Sequence, residues 1–133
     1  MYPSKDIVET TPRKRYWDIF NMKRTLRATL HALQGLKEVF FSEFAFQQEC
    51  VVFVLALLVV CIADLSGLER ALLVGSITCV LLVELLNTAV ETIVDRISAD
   101  HHPLSKKAKD IASAAVLISI LQAMVIWLFI FFG

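Results

Sequence analysis

The chain predicts an all-α integral membrane protein: three transmembrane helices preceded by an amphipathic helix on the membrane surface. Three observations predict it. Of its 133 residues, 57% are hydrophobic, above the roughly 45–50% of soluble domains, and the mean hydropathy is +0.68. The apolar residues gather into three long runs separated by short polar turns. Upstream of these runs, apolar residues instead recur at steps of three and four, the period of one helix face.

Residues 1–16 read as a polar arm with Pro3, Pro12 and the basic run Arg13, Lys14, Arg15. No cleavable leader is expected, because no apolar core with a small-residue cleavage site follows these basic residues. Residues 17–133 form one membrane domain. Its surface helix covers about 17–42: Ile19, Met22, Leu26, Leu30, Leu33, Leu36 and Phe40 make the apolar stripe, and Arg24, Arg27, His31, Gln34 and Glu38 a polar one. A basic helix of this kind lies in the interface plane. The spans are expected at about 46–64, 70–97 and 107–131, with Gln47, Gln48 and Glu49 at the water interface and Trp127 as an interfacial anchor. "DLSGLER" is a short turn and "SADHHPLSKKAKD" a polar loop.

Lysine and arginine set the orientation. Residues 1–49 carry eight of them, the first turn only Arg70, and the second loop Arg96, Lys106, Lys107 and Lys109. This places the N-terminus in the cytoplasm and the C-terminus outside. Net charge is zero, and no nucleic-acid partner is expected. Cys50, Cys61 and Cys79 have no metal-ligand or redox spacing and read as small packed side chains.

The chemistry concentrates in "VELLNTAVETIVDR". A carboxylate at bilayer depth costs roughly 3 kcal/mol or more, which makes Glu84 and Glu91 functional candidates. At about 100° per residue, Glu91 lies about 340° and Asp95 about 20° from Glu84, with Asn87 about 60° to one side. The stripe suits a divalent cation, a proton acceptor, or both. It ends at the cytoplasmic interface, with Glu84 about 10 Å deeper than Glu91. Lys106, Lys107 and Lys109 stand at a helix N-terminus, where the macrodipole disfavours cations and a bound anion would relieve the conflict. No GxxxxGK[ST] loop or protein-kinase signature is present. Glu43 and Glu91 are able to share a metal if the surface-helix end approaches the second span. The "HH" pair before Pro103 is a turn, not a zinc pattern. Polar groups in a thin three-span bundle need partners, which points to a homo-oligomer. Ala112, Ser113, Ala114, Ala115 and Ser119 would allow close helix contacts.

"SEFAFQQE", "VELLNTAVETIVDRIS" and "AKDIASAAVL", in this order on three spans, closely resemble the bacterial integral-membrane diacylglycerol kinase family, from about Lys23 to the C-terminus. The resemblance implies a homotrimer in the bacterial inner membrane that transfers the γ-phosphate of ATP, with Mg²⁺, to the 3-hydroxyl of sn-1,2-diacylglycerol. Sites would lie at the cytoplasmic surface, shared between subunits. It implies Glu84 as catalytic base with Asn87 beside it, and Glu43 and Glu91 as carboxylates holding metal with the nucleotide. The implied nucleotide set also includes Arg24, His31, Asp100, His101, His102, Lys109 and Asp110. The implied lipid-substrate set is Arg24, Glu84, Ser113, Gln48 and Arg70. Glu49 and Asp95 match motif carboxylates without an assigned role. His31 stands where the family often has an aromatic hydroxyl residue, and Gln48 where it often has arginine, which bears on nucleotide-pocket and headgroup details. A polyprenol kinase is the near alternative. A small cation-coupled transporter is the distant one, and no carboxylate continues the stripe outward to serve it. An inert structural relative is disfavoured because the expected charged residues are all present.

Overall fold

The computed structural model describes residues 22–97 and 102–133, all of them in helices or short connections. The helices are α1 (Met22–Ser42), α2 (Phe44–Ile62), α3 (Gly67–Ile97) and α4 (Pro103–Phe132). By internal contacts the chain divides into two units, Met1–Gln34 and Gly35–Gly133. The expected arm (residues 1–16), the expected start of the first helix, and Asp100 and His101 lie outside the described residues.

In α1 no residue is buried; Met22, Leu26, Leu30, Leu33, Leu36 and Phe40 are all exposed. The other three helices are each long and apolar enough to cross a membrane. A helix is the natural form of such a run, because hydrocarbon offers the backbone no hydrogen-bond partners. α3 is the centre of its unit, packing most extensively on α4 and then on α2.

The core is small. Among the described residues, Phe46 and Val60 of α2, Leu73 and Val80 of α3, and Ala123 of α4 are the buried apolar ones, and Leu73 is fully buried. Three polar residues join them: Ser76, Glu84 and Ser119. The two serines bond back to their own helices, Ser76 Oγ donating to the Leu73 carbonyl at 2.8 Å and Ser119 Oγ to the Val116 carbonyl at 2.7 Å. This intrahelical bond is the usual outlet for a hydroxyl in an apolar helix. The buried residues of α4, Ser119 and Ala123, are both small, which permits close approach to α3. Within the most apolar stretch of each spanning helix only 17%, 22% and 11% of residues are buried. The remaining apolar faces are therefore left for lipid or for other copies of the chain.

The helix ends explain the boundaries. α3 begins three residues before the expected position because Ser66 and Glu69 form a reciprocal cap. The Ser66 N–H donates to Glu69 Oε2 at 2.7 Å and the Glu69 N–H to Ser66 Oγ at 3.3 Å, satisfying two donors that a helix start otherwise leaves open. Arg70 closes the same turn, donating to the carbonyls of Leu65 (3.2 Å) and Ala63 (3.3 Å). α4 begins at Pro103 rather than near 107. Proline suits the first helical position, and the side chain of the preceding His102 accepts from the Leu104 N–H through Nδ1 at 3.2 Å. The three lysines thus sit inside the helix, not in a loop before it.

Removing the Ser66 cap with Ser66→Ala should lower stability by about 1 kcal/mol, the usual worth of such a cap. Thermal unfolding in detergent micelles measures it, and turnover per folded molecule should stay unchanged.

Candidate functional site

α3 carries a column of polar side chains that runs from the bundle interior toward water. Glu84 is 6% exposed, Asn87 and Glu91 are half-buried, and Asp95 is exposed. Asn87 Nδ2 donates to Glu91 Oε1 at 3.4 Å, a long bond by ordinary standards. Its amide oxygen is buried without a hydrogen-bond partner. Such an acceptor costs about 1–3 kcal/mol, a cost that a bound hydroxyl donor would offset.

α2 brings two more carboxylates to this column. Glu43 sits before the helix with extended backbone, φ −108° and ψ 111°. Its N–H donates to the Val39 carbonyl at 2.9 Å, and its Oε1 accepts from Ser42 Oγ at 3.2 Å. Gln47 Nε2 donates to the Phe40 carbonyl at 2.8 Å, satisfying one of the carbonyls that the end of α1 leaves open. These bonds fix the corner that presents Glu43. Glu84 lies within electrostatic range of Glu43 and Glu91, and Glu49 within range of Glu84. Four carboxylates in partly apolar surroundings need a cation or a proton to limit their repulsion.

Of the trio expected at the water interface, Gln47 and Glu49 are half-buried; Glu49 Oε2 is buried without a partner, and Glu84 lies within electrostatic range of it. Gln48 is the exposed member of that trio. Three consecutive polar residues point in three directions around a helix, and the nearly all-round apolar α2 gives no stripe that singles out the inward one. Glu49 also borders a groove of about 530 Å³ between α2, α3 and α4, lined by Val52, Leu55, Val80, Leu81, Met124 and Trp127 among others. Apart from Glu49 and Trp127, every lining side chain is aliphatic or a thioether. Trp127, expected as an interfacial anchor, is half-buried on α4. Its indole Nε1 is buried without a partner, and its ring lies 5.7 Å from that of Phe131.

The cations come from α4. Lys109 Nζ pairs with Asp95 Oδ1 at 2.6 Å, tying the start of α4 to the end of α3, and Glu91 is within electrostatic range of it. Lys106 Nζ pairs with Asp110 Oδ2 at 2.6 Å along α4 itself. Because α4 begins at Pro103, these lysines lie at or past the end of its first turn, where the helix dipole has faded, and Lys106 and Lys109 are paired with carboxylates.

The other expected residues fall elsewhere or stand alone. Ser113 is exposed on α4, and His102 is occupied in capping it. Arg70 lies at the opposite end of α3, about 21 Å from Glu84 at 1.5 Å per residue, bonded to the turn it closes. Arg24 and His31 are exposed residues of α1 within the first unit. Among the described residues no three His, Cys, Asp or Glu side chains converge on one point as a metal cage. Magnesium does not require one: it is commonly held by one or two carboxylates together with phosphate and water. Glu43 and Glu91 fit that donor set.

Comparison with known proteins bears on this arrangement. Residues 30–131 match the family model for prokaryotic diacylglycerol kinase. The chain is 42% identical over 104 residues to the diacylglycerol kinase of Escherichia coli K12, covering 78% of this chain and 85% of that one. It is 42% identical over 112 residues to that of Pseudomonas aeruginosa, covering 84% and 91%. The diacylglycerol kinase of Helicobacter pylori 26695 is 38% identical over 108 residues, covering 79% and 82%.

The crowding of carboxylates generates its own expectation. Glu49→Gln removes one like charge from beside Glu84 with almost no change in shape. It should raise stability by about 1 kcal/mol, the repulsion of two like charges a few ångströms apart in well-screened surroundings, read as a higher unfolding temperature in micelles.

Proposed function

The chain belongs to the prokaryotic diacylglycerol kinase family, and we propose from that premise that it is an ATP-dependent lipid kinase. It phosphorylates the 3-hydroxyl of sn-1,2-diacylglycerol to phosphatidate at the cytoplasmic face of the bacterial inner membrane. The observation that carries the reading is the buried Glu84, held by a membrane-length helix below a column of polar groups that reaches water at Asp95. A lipid alcohol and a nucleotide approach from these two sides, one from hydrocarbon and one from water.

In this reading Glu84 accepts the proton of the acceptor hydroxyl while its oxygen attacks the γ-phosphorus, and the bond to ADP breaks. A positioned base of this kind is worth about 10²–10⁴ in rate. Asn87, whose buried oxygen lacks a donor, orients the hydroxyl. Glu43 and Glu91 hold Mg²⁺ with the nucleotide, and the ion supplies charge neutralisation on the phosphates. Lys109 and Asp110, with Arg24, His31 and the loop Asp100 to His102, hold the rest of the nucleotide. Phosphoryl transfer needs little more than such positioning and charge. On the lipid side stand Ser113, Gln48 and Arg24, whereas Arg70 is bonded into the turn at the far end of α3 and is left out of the site. The aliphatic groove beside Glu49 supports a hydrocarbon acceptor. α1 lies on the membrane surface by its apolar stripe. The apolar faces left uncovered by a single copy support the homotrimer, with sites shared between subunits.

The test is ATP consumption by purified protein in mixed micelles, with dioleoylglycerol or undecaprenol as acceptor, with and without Mg²⁺. Mg²⁺-dependent phosphatidate is the expected product. Turnover with undecaprenol alone would make the protein a polyprenol kinase, and no turnover with either acceptor would return the transporter reading. Glu84→Gln should cut kcat by at least about 100-fold with nucleotide binding kept; retained turnover rules out the base. Glu91→Gln should weaken MgATP binding and turnover together, and an unchanged ATP affinity would remove it from the metal site.

A further inference from the structure

Asp95 has a partner but no part in the reaction just described. It stands in the last turns of α3, on the acidic stripe and exposed, and it holds Lys109 of the neighbouring helix at 2.6 Å. We propose that Asp95 is a positioning residue for nucleotide binding: it keeps the Lys109 ammonium over the water-facing end of the acidic column, aimed at the phosphates. The inference rests on Lys109 and Glu91 forming the nucleotide end of the site.

Three considerations lead here. Lysine carries its charge on a flexible four-carbon stem with about 2 kcal/mol of rotamer entropy. Without a carboxylate from outside α4, the ammonium would extend into water. Second, the pair is a weak stability device: the two side chains are 35% and 65% exposed, and exposed ion pairs contribute little to folding. Its consequence is direction. The neighbouring Lys106 is paired within its own helix, and Lys107 forms no ion pair among the described residues. Lys109 is therefore the α4 lysine directed across to α3, where Glu91 is within its electrostatic range. Third, an ammonium has three donors. One engages Asp95, and two remain for phosphate oxygens, so the pairing places the cation without exhausting it.

The experiment is steady-state kinetics of the full-length protein in mixed micelles, varying ATP at saturating dioleoylglycerol and the reverse. Asp95→Asn should raise KM for ATP roughly fivefold, the upper end for an exposed pair, with the lipid KM unchanged. Asp95→Glu should restore most of it. Lys109→Ala should raise the ATP KM further, and adding Asp95→Asn to it should produce no additional rise. Independent, multiplying effects of the two substitutions would overturn the positioning role, as would an unchanged or lowered ATP KM in Asp95→Asn. Lys109→Ala with a normal ATP KM would instead overturn the nucleotide assignment of Lys109 itself. If Asp95→Asn does not fold, as judged by thermal unfolding and size exclusion, Asp95→Ser serves in its place with the same readouts.

Discussion

A carboxylate inside a membrane-length helix is the constraint around which the rest of this bundle is arranged. Glu84 is buried, and neither ion pair among the described residues reaches it. The two buried serines of the same bundle settle their hydroxyls on their own helices; a carboxylate has no such outlet, because it only accepts. The burden shifts to its surroundings. α3 must lead from Glu84 toward water, which it does through Asn87, Glu91 and Asp95. α2 must start close by, and its first turns add further negative charge rather than relieving it. The deficit of positive charge at this end is what a nucleotide-bound cation and the α4 lysines would fill.

The two ends of α3 divide structure from chemistry. At one end Ser66, Glu69 and Arg70 satisfy backbone groups and close a tight turn. These three side chains are spent locally. At the other end Asn87 keeps an unused acceptor, Glu49 an unused oxygen, and Lys109 donors beyond its ion pair. Unspent hydrogen-bonding capacity in a buried or half-buried setting is costly, and at this end it sits beside the acidic column; Trp127 Nε1, farther along α4, is the other buried group without a partner among the described residues. Arg70, assigned by resemblance to the lipid set, is bonded within the spent end.

Much of this was legible in the sequence. The stripe on α3 followed from helical period alone, and the three spans from length and hydropathy. What escaped did so for identifiable reasons. The cap at Ser66 lay inside a segment short enough to pass for a turn, although its S-x-x-E spacing carried the signal. The α4 start was marked by Pro103 after a capping residue, but the lysines drew attention to a later boundary. Glu49 and Trp127 could not be oriented, because α2 and α4 are apolar nearly all round and such helices have no preferred inward face in sequence. The Asp95–Lys109 pair joins residues on different helices, which helical period cannot reveal.

That last pair shows how a site at the edge of a bilayer is built with little rigidity to draw on. Only a minority of the most apolar stretch of each spanning helix is buried within one copy. A lysine on such a helix projects outward on a flexible stem and needs a partner to fix its charge. Crossing from α4 to a carboxylate on α3 fixes the ammonium relative to the very helix that carries Glu84 and Glu91. The distance between cation and carboxylates then depends on two helices that already pack most extensively on each other. Charge geometry is thereby tied to the most extensive helix interface among the described residues.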